Sequence, residues 1–445
     1  MENKYFIDKI CDIVIKDNTV ILSNRLTGKW IKIPIECYEA IKYSLETSIP
    51  VNKTIEVFED EEDQQYFKSV LNCLDNIGLL NADQTYEFEI DFIPKVVFSI
   101  TNRCNLSCEY CCVDADNYLK KDDVLSTSDI KRAIDKILKL KPQEVVISGG
   151  EPLVRDDFYY ILEYIKLVYG GKVVLCTNAT LIKEDDFYYI LEYIKLVYGG
   201  KVVLCTNATL IKEEDIEKIT NAVYAVEISL DGYDEESCSK IRGKGTFAKV
   251  IENVRLLKKS GMKHISLSMV AGEFNEDNVD NFLELNESLG TRAVVRNFSK
   301  FGRGKYSYKY LKDEFAIHYY GVNDFNDLNK LRANNCWAGN SQLFVNYDGN
   351  IYLCPLLQYE EFKICHIFDL SDEIIKKVFK RQLPAFSNFD NIKIRNIPHC
   401  KSCKINLFCT VCPAKVYTLL SDKRAFDYNC NFMKRTLMPK IWQMN

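Results

Sequence analysis

Cys104-Asn105-Leu106-Ser107-Cys108-Glu109-Tyr110-Cys111 sets three thiols at spacings of three residues and then two. Thiolates in this pattern can hold three irons of a cubane cluster, whereas an electron-transfer cluster normally takes four protein thiolates. A cluster one ligand short binds a small molecule directly on iron. The run follows an apolar stretch, Val96 to Ile100, that reads as a strand. Further on, Val145 to Ser148 read as a second strand and end in Gly149-Gly150-Glu151-Pro152. A structural zinc site, the plainer alternative, needs a fourth ligand nearby and leaves the Gly-Gly-Glu-Pro run unexplained.

Composition narrows the setting. The chain has 445 residues, 47% of them hydrophobic, enough for two to four domains with ordinary cores. No apolar run approaches the ~20 residues that span a bilayer. Met1-Glu2-Asn3-Lys4 lacks the basic and apolar regions of a signal peptide, so a cytoplasmic location without membrane attachment is expected. In that reducing setting, 18 cysteines beside only 4 histidines point to thiolate-bound iron rather than disulfides or mixed zinc sites. Residues 371–445 hold 14 Lys and Arg against 5 Asp and Glu. This excess suits the surroundings of anionic clusters; with no nucleic-acid recognition motif, no nucleic-acid partner is expected.

The chain reads as four segments. Residues 1–88 alternate as strands at Asp12–Lys16, Thr19–Ser23 and Trp30–Ile33, turn at Asn24–Gly28, then read as helices at Glu36–Leu45 and Glu61–Ile77. Residues 89–305 alternate strand and helix, the pattern of a parallel sheet with helical crossovers. Six strands are expected there, at Lys95–Ile100, Glu144–Ser148, Lys172–Thr177, Ala225–Leu230, His264–Val270 and Arg292–Phe298. Residues 306–333 bridge to a Cys-rich segment, 334–445. Within the second segment, residues 156–184 recur without change at 185–213. Solenoid repeats drift and come in threes or more, so an exact pair is not an architecture. One copy is expected in the sheet and the other displaced, with Cys176 and Cys205 as core thiols.

The Cys run with an aromatic residue before its last Cys, together with Gly-Gly-Glu-Pro, resembles the radical S-adenosylmethionine (SAM) superfamily. Cys336, Gly349 and Cys354, then Cys400-x₂-Cys403-x₅-Cys409-x₂-Cys412 and Cys430, resemble the iron–sulfur SPASM extension, with one spacing a residue shorter than usual. The resemblance implies an α/β fold: a partial (β/α)₆ barrel, with an N-terminal winged-helix-like domain for a leader peptide and a C-terminal SPASM domain. It implies SAM and three 4Fe–4S clusters as cofactors. Cys104, Cys108 and Cys111 would hold the SAM-binding cluster. Gly149, Gly150, Glu151 and Pro152 would receive the SAM amino group, Tyr110 the adenine, Ser229 and Asp231 the ribose, and Arg242 the carboxylate. As a turn residue before Gly232, Asp231 also has an ordinary structural reading. Cys400, Cys403, Cys409 and Cys430 would hold a distal auxiliary cluster; Cys336, Cys354 and Cys412 a proximal one. Cys365 is either its fourth ligand or a buried thiol, and Cys112 is a bystander.

The whole layout resembles the thioether-forming synthases that mature ribosomally made peptides. It implies a precursor peptide as partner and a reducing donor such as flavodoxin or ferredoxin. Two other enzymatic readings stand beside it: carbon–carbon crosslinking and sulfatase maturation. Pro355 after Cys354, where sulfatase-maturating enzymes place Asp, counts against the last. A non-catalytic iron–sulfur carrier is a further reading, opposed by the intact Cys run and Gly-Gly-Glu-Pro.

Overall fold

The computed structural model describes residues 2–83, 90–108, 111–116, 122–178, 203–209, 211–272, 274–298, 301–306, 331–333, 336, 338–409 and 412–443. They fall into two compact units. One gathers residues from 1–89, 322–337 and 389–445, the other those of 90–321 and 338–388. The Cys-rich segment, read from sequence as one domain, is thus divided between the units. The segment 306–333 lies mostly outside the described residues.

In the first unit, β1 (Tyr5–Phe6) pairs antiparallel with β5 (Leu80–Asn81). A separate antiparallel sheet runs β2 (Cys11–Lys16), β3 (Thr19–Asn24), β4 (Trp30–Pro34). The expected turn is present: Asn24 Oδ1 accepts the Leu26 N–H at 2.8 Å. Two helices follow, α1 (Ile35–Thr47) and α2 (Glu61–Asn76), the second capped by Asp60, whose carboxylate accepts the Asp63 N–H at 2.8 Å. Val20, Leu22 and Ile33 on one sheet face pack with Ile41, Phe67 and Leu74 of the helices. The opposite face carries Asp12 and Trp30, which residues of 389–445 cover. Arg395 pairs with Asp12, which Arg25 also holds at 2.7 Å. The Trp30 ring stands edge-on to Phe408, centroids 4.9 Å apart. Lys404 Nζ donates to the Ile15 carbonyl at 2.7 Å, and Trp442 Nε1 to the Lys404 carbonyl at 2.9 Å.

The second unit is built on parallel strands. One sheet runs β15-β14-β13-β6-β7-β8 and another β12-β11-β10-β9. Here β6 is Lys95–Ser99, β7 Glu144–Ser148, β8 Lys172–Leu175, β9 Val203–Thr206, β10 Ala225–Ser229, β11 Ile265–Ala271 and β12 Arg292–Asn297. Central β7 is apolar on both faces, as a buried parallel strand requires: Val145, Val146 and Ile147 are all buried. Beyond β6 lies β13 (Gln342–Val345), parallel to it, followed by antiparallel β14 (Asn350–Tyr352) and β15 (Lys363–His366).

The repeat departs from expectation. Neither copy's strand is displaced: the first supplies β8, paired with β7, and the second supplies β9, paired with β10. Each satisfies one edge on its neighbour, so among the described residues seven parallel strands run from β6 to β12 where six were expected. The second copy's helix lies outside the described residues. No helix among the described residues is long and apolar enough to cross a membrane.

Candidate functional site

The motifs meet at the C-terminal ends of the strands, where barrel chemistry sits. The pairing of β6 with β7 continues past both strands. Gly150 N–H donates to the Thr101 carbonyl at 2.9 Å and Glu151 N–H to that of Arg103 at 2.8 Å. A Cβ on Gly149 would come within 2.5 Å of the Thr101 oxygen, and one on Gly150 within 2.4 Å of the Arg103 oxygen. The two glycines are therefore required by close packing against the start of the cysteine loop. Pro152 is buried at the first position of a 3₁₀ turn that Glu151 caps.

Glu151 is fully buried. Its carboxylate accepts from Leu153 N–H at 3.0 Å, the Thr177 hydroxyl at 2.6 Å and Asn178 N–H at 2.6 Å. Burial pushes its pKa up, against the pull of those three donors. Asn178 also donates its side-chain amide to Asn105 Oδ1 at 2.8 Å and faces the Cys104 sulfur at 3.9 Å. The first copy of Thr-Asn-Ala-Thr thus joins Glu151 to the cysteine loop. Sequence reading saw this motif only as repeat content.

Each end of the loop offers its sulfur a backbone donor: Leu106 N–H to Cys104 at 3.4 Å and Ala115 N–H to Cys111 at 3.4 Å. Burial raises the thiol pKa of Cys104 and of Cys108, while Arg242 and Arg303 pull that of Cys108 down. Thiols with aimed N–H groups and guanidinium charge beside them suit an anionic, thiolate-held cluster. Behind the loop, Arg103 pairs with Asp123 at 2.6 Å, and the buried Arg155 donates to the Ile100 and Leu125 carbonyls, each at 3.1 Å. Among the described residues, no three His, Cys, Asp or Glu side chains gather closely enough to hold a single metal ion.

The remaining expected SAM contacts are placed as follows. Asp231 is buried in a left-handed turn, φ 58°. It accepts the Val270 N–H at 2.6 Å and pairs with Arg242 Nη2 at 2.6 Å. The expected ribose and carboxylate contacts are thus bound to each other. Ser229 ends β10, its hydroxyl 3.5 Å from that of Ser268. Tyr110 lies outside the described residues.

In the first unit, Cys400, Cys403, Cys409 and Cys430 line one cavity together with Phe426 and Lys434. Burial pushes the Cys400 thiol up to about 11, Cys430 and Cys403 adding to the rise and Lys434 opposing it. The proximal set is divided: Cys336 and Cys412 belong to the first unit and Cys354 to the second. Cys412 stands at the N-cap of the helix Pro413–Leu420. Burial lowers the Lys415 pKa, and Cys412 opposes that shift. Cys365 lies on β15 opposite Ile351, and burial pushes its thiol up to about 11.

The family model of the Radical SAM superfamily matches residues 98–285, and that of the iron–sulfur cluster-binding SPASM domain residues 336–404. Similar proteins include the antilisterial bacteriocin subtilosin biosynthesis protein AlbA of Bacillus subtilis, 25% identical over 417 residues, with 86% of this chain and 83% of that protein covered. The mycofactocin maturase MftC of Mycolicibacterium smegmatis is 24% identical over 320 residues, covering 67% and 72%. The crystal structure of Streptococcus suis SuiB bound to S-adenosylmethionine aligns with a TM-score of 0.44 at 15% identity, covering 91% of this chain and 94% of that one.

Residues 98–285 thus form a radical SAM domain and residues 336–404 a SPASM domain. The chain is a radical SAM enzyme, with SAM and a 4Fe–4S cluster as cofactors and auxiliary iron–sulfur clusters in its SPASM domain.

Proposed function

We propose that this enzyme matures a ribosomally made precursor peptide by closing a thioether between a Cys sulfur and a carbon of the same peptide. The observation that carries the reading is the pairing of a radical SAM site in one unit with a separate sheet-and-helix domain in the other. A radical SAM site alone does not need such a domain, and an extended leader peptide can add a strand to an open sheet edge. The bacteriocin-biosynthesis and maturase relatives support a peptide substrate.

In this reading Cys104, Cys108 and Cys111 hold the SAM-binding cluster. Cys400, Cys403, Cys409 and Cys430 hold the distal cluster, around the cavity they line. Cys336, Cys354 and Cys412 hold the proximal one. When bound, SAM and its cluster supply a radical that abstracts hydrogen; the protein orients the reacting groups and keeps water away. Glu151 is held by its neighbours so that a free acceptor position meets the SAM ammonium. Arg242, fixed by the buried Asp231, contributes positive charge beside Cys108. If Cys365 is a core thiol rather than a ligand, the proximal set is one thiolate short. A substrate thiolate is the group that fits the remaining place, which favours thioether over carbon–carbon closure. The electron donor would be a small reducing protein such as flavodoxin or ferredoxin.

The test is anaerobic incubation of reconstituted enzyme with SAM, reductant and a Cys-containing precursor. The expected product is two hydrogens lighter and resists thiol alkylation, with 5′-deoxyadenosine formed alongside. Ala at Cys104, Cys108 and Cys111 together should remove about four irons and abolish SAM cleavage. A product that keeps its free thiol would overturn the thioether; SAM cleavage by the triple variant would overturn the cluster assignment.

A further inference from the structure

The segment Phe301-Gly302-Arg303-Gly304 follows β12, the last barrel strand, and packs on the cysteine loop that follows β6, the first. The contact is main chain against main chain. Gly302 has φ 53°, and a Cβ there would lie 2.4 Å from the Cys111 oxygen and 2.6 Å from the Cys112 carbonyl carbon. Arg303 then grips the loop. Its backbone N–H donates to the Cys111 carbonyl at 2.9 Å. Its guanidinium donates to the Cys108 carbonyl at 3.0 Å and to that of Ala115. Nε stands 3.5 Å from Asp114, a half-exposed carboxylate.

One residue therefore spans the loop from its second thiol to four residues beyond its third. Only a planar fork with several fixed donors makes this set of contacts; a lysine offers a point charge and no fork. Arg303 also differs from the neighbouring Arg242. The latter is held at 2.6 Å by Asp231, whose side chain is 1% exposed, and adds its charge beside Cys108 from outside the cysteine loop.

We propose that Arg303 is the positioning residue of the three-thiolate loop, fixing where Cys108 and Cys111 stand and setting a positive charge beside the cluster they hold. This rests on Cys104, Cys108 and Cys111 being the cluster ligands. The potential of an iron–sulfur cluster follows its net charge and surroundings, so loss of the cation makes reduction harder. Loss of the fork loosens the loop whether or not charge is kept.

The experiment uses the full chain, as wild type, Arg303→Lys and Arg303→Gln, reconstituted anaerobically with iron and sulfide. The electron paramagnetic resonance signal that changes on adding SAM isolates this cluster from the others. Its redox titration gives the potential, and its decay in the presence of a chelator gives the rate of iron loss. Arg303→Gln should have a lower potential than wild type and Arg303→Lys one close to it. Both should lose iron faster, by about 10- to 100-fold, the usual cost in metal affinity of removing an outer partner of a metal site. A wild-type potential in Arg303→Gln, or wild-type iron loss in Arg303→Lys, overturns the proposal. If Arg303→Gln assembles no cluster, iron loss from Arg303→Lys decides. Wild-type protein with no SAM-sensitive signal would instead sink the cluster assignment.

Discussion

The backbone N–H of Asn178 donates to the Glu151 carboxylate at 2.6 Å, tying the end of β8 to the Gly-Gly-Glu-Pro turn. With Thr177 and Leu153 as further donors, three of roughly four carboxylate acceptor positions are occupied among the described residues. The fourth is the one proposed for SAM.

Glu151→Gln should disturb this arrangement although it conserves shape. An amide nitrogen would face an N–H or hydroxyl donor, at a cost of about 1–3 kcal/mol for the unsatisfied buried group. Weaker SAM binding should accompany the loss, measurable by calorimetry on the reconstituted enzyme. The pH dependence has a definite sign. Burial raises the folded-state pKa of Glu151, so the native chain holds this proton more tightly than the unfolded one. Its contribution to stability is full below the ordinary carboxylate value and is lost as pH rises through the raised one. Denaturation across that range should show a shallower decline in Glu151→Gln; an unchanged slope would contradict the assignment.

The Trp30 ring packs on Phe408, next to Cys409 of the distal cavity. Removing the N-terminal domain would therefore strip cover from that cavity as well as remove the proposed leader-binding sheet, and truncation is a poor test of either. Trp30→Ala should cost about 1–3 kcal/mol, because the side chain is only partly buried. It should also speed iron loss from the distal cluster while leaving the SAM-sensitive signal unchanged. Equal loss from both clusters would refute a local effect.

Much of this was legible because local patterns carry it. Apolar strands ending in Cys or Gly motifs placed the site, and the resemblance to the SPASM extension grouped Cys400, Cys403, Cys409 and Cys430, which line one cavity. What was missed depends on distant partners. The alternation in β2 to β4 reads as a sheet with one wet face, yet Asp12 and Trp30 meet residues almost 400 positions away. Arg303 carries no local mark, since its partners are main-chain carbonyls. The glycines of Gly-Gly-Glu-Pro were read as part of the motif for the SAM amino group; the carbonyls of Thr101 and Arg103 are what forbid a side chain there.

Cys365 separates two versions of the proximal site. It lies in β15 opposite Ile351, and burial pushes its thiol up to about 11, as it does that of Cys400 in the distal set, so the iron count and not the thiol's acidity decides between the two versions. Cys365→Ala should keep roughly twelve irons per chain and full crosslinking, read by iron assay and mass spectrometry. Loss of about four irons would make it a ligand, close the open place, and favour carbon–carbon crosslinking.

The exact repeat yields the last prediction. Removing either copy leaves the same sequence, so only one deletion variant exists. The two copies use different residues of the shared motif. In the first, Thr177 and Asn178 serve Glu151 and Asn105. In the second, the Ala208 and Ile211 carbonyls accept from Asn253 at 2.7 and 3.1 Å. A single Thr-Asn-Ala-Thr-Leu-Ile run contains all of these groups without conflict. One strand likewise has two edges, free to pair with β7 on one side and β10 on the other. The deletion variant should fold with six parallel barrel strands, match or exceed the full chain in thermal stability, and still bind its SAM cluster. Failure to assemble that cluster, with the first unit intact by its distal-cluster signal, would mean that the seventh strand is part of the working barrel.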